Sequence, residues 1–178
     1  ENVGLLDQTS FAKFLLQGRD AEAVINKVAA NNMSVPVGKI VYTQWLNEQG
    51  GIEADLTVTR TAEDCYMVVT AFSSAAKDFN WLKKNIPTGA HAVLTDVGSG
   101  MAMVSVMGPK SRELLQTLTP ADLSNEAFPF ATSQQIELGY AMVRASRITY
   151  VGELGWELYI PTEFATGVYD LIVAAGVD

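Results

Sequence analysis

Two carboxylates stand where a strand meets a glycine turn. Asp55 lies in "NEQGGIEADLTVTR", residues 47–60, and Glu157 lies in "YVGELGWELYIP", residues 150–161. A carboxylate can accept several hydrogen bonds or take a proton, so either residue could orient a ligand or act as a base. Each is also a common resident of a solvated strand face, and neither position alone rises above that reading. Other chemistries find less support. His91 is the only histidine and sits in the alternating run "AHAVLTDV", which reads as a plain strand. Cys65 is the only cysteine and opens an apolar strand as a buried structural thiol. A single cysteine forms no internal disulfide and no cysteine zinc site, and no metal is expected. The sequence holds neither GxGxxG nor GxxxxGK followed by Ser or Thr, and "GSGMAM" runs into a strand rather than a helix, so no nucleotide loop is offered.

The elements that must position these residues alternate between strand and helix patterns. "FAKFLLQG" reads as a strand. "RDAEAVINKVAANN" reads as a helix capped by Asp20, with Ala21, Val24, Ile25 and Val28 as its apolar stripe and Asn31 or Asn32 at its end. "KIVYTQWLN", a five-residue turn and "IEADLTVTR" form a hairpin. In its second strand the even positions Ile52, Ala54, Leu56 and Val58 are apolar and the odd ones polar, which puts Asp55 opposite the core. "CYMVVTA" is a strand, and "SSAAKDFNWLKKN" is a helix capped by Ser73 or Ser74. "AHAVLTDV" and "MAMVSVM" are strands joined by "GSG". "GPKSRELLQTL" is a helix with Pro109 in its first turn. A short helix is possible between residues 119 and 131. "QQIELGYAMVRASRITYVG" makes two strands divided near Gly139, and "WELYIP" makes another. "TEFATGVYDLIVAAG" is a helix with Phe164, Val168, Leu171 and Ala175 on one face. The hairpins force antiparallel pairing, so an α+β architecture fits better than a doubly wound parallel sheet. Strand pairs followed by a helix recur in both halves, which hints at two related subdomains.

Length and charge narrow the function. The 178 residues suit one large domain or two small ones. Twelve basic against twenty acidic residues give a net charge of −8, which argues against a nucleic-acid partner. No apolar run approaches the ~20 residues of a membrane-spanning helix, so no membrane partner is expected. The opening lacks the pattern of a signal peptide and an initiator Met, and the chain stops just after a helix-like segment. It reads as a piece of a longer protein. The lone cysteine is compatible with a reducing compartment; the expected location is the cytoplasm in a bacterium or the mitochondrial matrix in a eukaryote.

Three segments in order, "YTQWLNEQGGIEADLTVTR", "SVMGPKSRELLQ" and "RITYVGELGWELYIP", together with the opening "VGLLDQTSF", resemble the glycine cleavage T-protein (aminomethyltransferase) family along the whole chain. Their wording is most like the folate-binding module of dimethylglycine and sarcosine dehydrogenases, in which this module follows an FAD-dependent domain. The resemblance implies an α+β folate-binding domain of two interlocked subdomains of antiparallel sheet plus helices. Residues 1–37 and 91–178 would form the first, discontinuous one, and residues 38–90 the inserted second. The family's C-terminal part is absent from these residues, so the resemblance implies that they hold most pterin contacts yet catalyse weakly or not at all by themselves.

The resemblance also implies a chemistry: transfer of a one-carbon unit from an amine-derived iminium to tetrahydrofolate, giving 5,10-methylenetetrahydrofolate. FAD would belong only to an upstream domain of the same polypeptide. Asp55 matches the acidic position of the family's GG-x-x-x-D strand, which approaches folate N10, and would be the catalytic residue. Ala54 stands where T-proteins often carry a second Asp. Glu157 matches the glutamate that holds the pterin ring, and Tyr150 the tyrosine before the family's glycine turn. Val69, in the "MVVTA" strand, would give backbone contacts to the pterin, and Tyr42, which opens the first motif, would be a further folate contact. Ala71 replaces an asparagine of the T-proteins. The alternative is a non-catalytic folate-binding or regulatory relative, similar to the pyruvate dehydrogenase phosphatase regulatory subunit. Asp55 separates the two, because a binding module has no need of a base there.

Overall fold

The structure is a computed structural model that describes residues 2–176. These residues form two compact units. A central unit is Ser10–Gly98, and a flanking unit comprises the described residues on either side of it. Strand β1 (Gly4–Asp7) comes first and belongs to the flanking unit. The central unit then runs β2 (Ala12–Gln17), α1 (Ala21–Val28), β3 (Ile40–Leu46), β4 (Ile52–Ala62), β5 (Cys65–Thr70), α2 (Ala75–Asn85) and β6 (Val93–Asp96). The flanking unit resumes with β7 (Met101–Met107), α3 (Ser111–Gln116), β8 (Thr132–Leu138), β9 (Ala141–Arg147), β10 (Gly155–Pro161) and α4 (Ala165–Ala175).

Each unit is one five-stranded sheet with two helices, and every strand pair is antiparallel. In the central unit the order is β3-β4-β5-β2-β6. Successive strand residues point to opposite faces. One face carries Phe14, Leu16, Trp45, Ala54, Leu56, Val58, Tyr66 and Val68, and it packs with Val24, Ile25 and Val28 of α1 and Leu82 of α2. Phe14 meets Phe79 of α2 edge-to-face, with ring centroids 5.1 Å apart. In the flanking unit the order is β1-β7-β10-β9-β8. Its core joins Val104, Val106, Trp156, Leu158 and Ile160 to Leu115, Phe128, Val168 and Ile172.

The hairpin turn between β3 and β4 follows from its residues. Asn47 closes it from both sides. Its N–H donates to the Gly51 carbonyl at 2.9 Å, and its side-chain oxygen accepts from the N–H groups of Gln49 and Gly51. Gly50 takes φ +78°, a conformation that glycine reaches without a side-chain clash.

The two units repeat one plan. Reading β2-α1-β3-β4-β5-α2 against β7-α3-β8-β9-β10-α4 gives the same sheet order, with β6 and β1 as matching edge strands. The match reaches single bonds. Gly18 N–H donates to the Asp64 carbonyl and Gly108 N–H to that of Leu154. Asp20 N–H donates to His91 O, and Lys110 N–H to Asn2 O. Gly18 and Gly108 share φ values of +132° and +135°, and a Cβ on either would come within 2.1 Å or 2.5 Å of a carbonyl oxygen, that of His91 or of Asn2. Arg60 lies over the Tyr66 ring at 5.4 Å, and Arg147 lies over Trp156 at 5.7 Å. Where the central unit adds Glu22, 2.9 Å from Arg60, the flanking unit adds a second arginine. Arg112 also stacks on Trp156, and Asn125 Oδ1 accepts from both guanidinium groups at 2.7 Å.

Several local expectations are corrected. The boundary falls at Ser10 and Gly98 rather than at 38 and 90, because β2 pairs with both β5 and β6 and brings α1 with it. β6 and β7 lie in different sheets despite the short "GSG" link. Asp20 stands at the N-cap of α1, but its carboxylate accepts from the distant His91 N–H at 2.7 Å instead of capping. The helix ends at Val28, before Asn31 and Asn32, as Ala29 turns extended and bridges to Trp45. Pro109 precedes α3, which starts at Ser111. Residues 119–131 contain no helix. The buried positions of α4 are Val168 and Ile172, whereas Phe164 stays 40% exposed. The opening segment itself pairs as β1.

Gly18→Ala and Gly108→Ala should each destabilise the protein by roughly 2–3 kcal/mol, combining left-handed strain with a backbone collision. Gly50→Ala, with nothing within 4 Å of the added carbon, should cost only about 1 kcal/mol. Denaturant unfolding of the three variants measures the difference.

Candidate functional site

The face of the central sheet turned away from its helices carries the candidate base. Asp55 lies on β4 with Gln44 of β3 as its direct cross-strand neighbour, and Tyr42 lies opposite Thr57 one step along the same face. Each carboxylate oxygen has one donor. Gln44 Nε2 reaches Oδ1 at 2.8 Å, and Tyr42 Oη reaches Oδ2 at 2.7 Å. Both donors come from one strand at i and i+2, so the β3–β4 register alone assembles the group. Asp55 is exposed and Tyr42 is 61% exposed. The bond to Asp55 raises the Tyr42 phenol pKa, since losing its proton would set two anions side by side.

The same face continues inward. Thr57 pairs with Val69 of β5, and Val69 with Lys13 of β2, so Asp55, Tyr42 and Val69 share one sheet face with a fully buried lysine. Ala54 points the other way and is buried in the core. An acid at that position would lose solvation among apolar side chains.

In the flanking unit Glu157 sits mid-strand on β10, only 8% exposed, across from Ser105 on β7 and Ser146 on β9. That sheet face is polar although buried. Ser105 donates to Gln8, and Ser146 donates to Ser133 at 3.0 Å. Tyr159, two residues on and so on the same face, donates its Oη–H to Glu157 Oε2 at 2.7 Å. Oε1 accepts no hydrogen bond among the described residues. Burial raises the Glu157 pKa, and the Tyr159 bond opposes this in part. Burial, with Glu157 beside it, pushes the Tyr159 phenol well above its usual value. Tyr150 is 70% exposed in the loop between β9 and β10. Other residues of that loop, Thr149 and Glu153 among them, wall a cavity of about 200 Å³ together with Phe130 and Arg147.

The described structure therefore groups Asp55, Tyr42 and Val69 in one unit and Glu157 and Tyr150 in the other. Sequence reasoning missed Gln44, Tyr159 and Lys13. The i, i+2 spacing of Tyr42 to Gln44 and of Glu157 to Tyr159 was the available signal, because period-2 neighbours share a face.

The fold and these positions define an α+β protein of two repeated antiparallel sheets, each carrying a phenol-bound carboxylate. The chain belongs to the GCVT N-terminal domain family, whose model matches residues 1–178. It is 39% identical over its full length to the 4-methylaminobutanoate oxidase (formaldehyde-forming) of Paenarthrobacter nicotinovorans and covers 22% of that protein. It is 38% identical to the mitochondrial sarcosine dehydrogenase of Mus musculus, with 98% of the chain aligned and 20% of the relative covered. The chain thus spans about a fifth of the length of these curated relatives. The solved aminomethyltransferase T of the glycine cleavage system from Bartonella henselae superposes with a TM-score of 0.83 at 23% identity, over 97% of this chain and 45% of that one, which shows the shared fold. No helix among the described residues is long and apolar enough to cross a membrane.

The raised Glu157 pKa carries a sign. Its folded value exceeds its unfolded one, so the stabilising share of the protonated acid is complete below the ordinary carboxylate range and is lost as pH rises through the raised value. Glu157→Gln, neutral throughout, should gain thermal stability relative to the parent as pH rises above the ordinary carboxylate range. Parallel melting-temperature curves for the two proteins would contradict this.

Proposed function

We propose that this chain is a tetrahydrofolate-binding module that transfers a one-carbon unit from an amine-derived iminium to the folate, giving 5,10-methylenetetrahydrofolate. In this reading it forms part of a longer dimethylglycine or sarcosine dehydrogenase-like enzyme. The observation that carries the reading is Asp55, an exposed carboxylate held as an acceptor by two donors, on the GG-x-x-x-D strand of a GCVT-family chain. A non-catalytic folate binder has no use for a base fixed in this way.

Glu157 suits the pterin. A pterin presents an amino group and a ring N–H in the same direction, and a carboxylate can accept from both. Tyr159 commits one lone pair of Oε2 and leaves Oε1 for the ligand. Asp55 would orient a folate amine, favour the positive charge that develops as it attacks the iminium carbon, and accept its proton. In this reading the backbone at Val69 and the exposed ring of Tyr150 are further pterin contacts. FAD, which would generate the iminium by oxidising an amine, is assigned to an upstream domain outside these residues.

Asp55→Asn should lower turnover by ~10²- to 10⁴-fold while tetrahydrofolate affinity holds. Glu157→Gln should do the reverse, weakening tetrahydrofolate binding ~10-fold or more through loss of a charge-assisted bond. Isothermal titration and single-turnover assays of the two variants separate the roles. Unchanged turnover in Asp55→Asn would rule out the catalytic reading.

A further inference from the structure

The two oxygens of Asp55 are not equivalent. Oδ1 faces the Gln44 amide nitrogen at 2.8 Å, and Oδ2 faces the Tyr42 hydroxyl at 2.7 Å. An amide nitrogen only donates, whereas a phenol can donate or accept. A proton on Oδ1 would weaken that oxygen as an acceptor, and the Gln44 N–H has no acceptor form with which to compensate. A proton arriving on Oδ2 finds an oxygen able to receive it once the phenol O–H turns away. Tyr42 is 61% exposed, so the turned O–H has water to donate to.

We propose that Gln44 is a positioning residue that fixes Oδ1 as an acceptor and so makes Oδ2, backed by Tyr42, the oxygen that takes the folate N–H proton. This deepens the reading of Asp55 as the base and rests on it. The step balances within the reactants already named. The folate nitrogen lone pair forms the new N–C bond to the iminium carbon, and the π pair of C=N moves onto the donor nitrogen. The N–H bond breaks, its electron pair stays on the folate nitrogen, and its proton forms Oδ2–H. An iminium cation and a carboxylate anion become a neutral aminal and a neutral acid. The acid can later return the proton to the departing amine.

Other ionisable groups on this face leave the assignment to Gln44 and Tyr42. Glu53, two residues before Asp55, accepts from Asn47 Nδ2 at 2.9 Å. Lys13 lies beyond Thr57 and Val69 across the sheet.

The test follows Asp55 directly, in protein labelled with ¹³C at the aspartate carboxyl carbons. The Asp55 signal is the one missing from Asp55→Asn. Gln44→Leu removes the donor and Gln44→Glu replaces it with a second carboxylate. Both should raise the midpoint of the Asp55 titration, the latter by about 1 pH unit or more. In the full enzyme the acidic limb of the kcat profile should move with that midpoint. Gln44→Leu should lower kcat about 10-fold and change KM for tetrahydrofolate less than about 2-fold, the signature of an interaction used in the transition state. If the Asp55 midpoint stays put in both variants while Asp55→Asn is inactive, the role of Gln44 is overturned and the base survives. If Asp55→Asn turns over normally, the base falls and Gln44's role falls with it.

Discussion

A β-strand sends alternate side chains to opposite faces, and each sheet here has helices on only one of them. Everything else depends on that restriction. The face under the helices is predominantly apolar, and β2, β4, β5, β7 and β10 supply it with even-numbered residues. The other face is released from that demand. A shift of one residue decides which rule applies: Ala54 is core and Asp55 is not, Trp156 is core and Glu157 is not.

The two carboxylates solve opposite electrostatic problems with the same partner. Each accepts a hydrogen bond from a tyrosine at 2.7 Å. For Asp55 the tyrosine comes from the neighbouring strand and the group stays in contact with water. For Glu157 it comes from the same strand, in a polar but buried row where ionisation is disfavoured. The repeat makes the division plain. Met67 occupies on β5 the place that Glu157 has on β10, counted from the helix that follows each strand, and Met142 on β9 answers to Asp55 on β4. A shared scaffold thus hosts different chemistry on different strands, as fold and site are separable.

Much of this was legible in the sequence. The period-2 pattern of residues 52–59 placed Asp55 away from the core, and the ordered motifs pointed to the family that the whole chain matches. What escaped was non-local. Asp20 has the form of an N-cap, yet its carboxylate serves His91, 71 residues away. "GSG" looks like a hairpin link, yet the strands on either side belong to different sheets. The boundary at 38 failed because nothing in "FAKFLLQG" states that it will sit between β5 and β6. Gln44 and Tyr159 were missed for the same reason in miniature. A polar strand residue discloses its partner only once the register is known.

The edge strand β1 matches β6 in place but not in order. β6 follows α2 along the chain, whereas its counterpart precedes the whole central unit instead of following α4. Two tandem copies with their last strand moved to the front would give this connectivity. During synthesis the central unit has all its strands in one continuous stretch and can close as soon as β6 is made. β1, finished at Asp7, has no strand to pair with until β7 begins at Met101. The earlier-made flank of this stretch therefore waits for the later one, and the flanking sheet can close only after the central one.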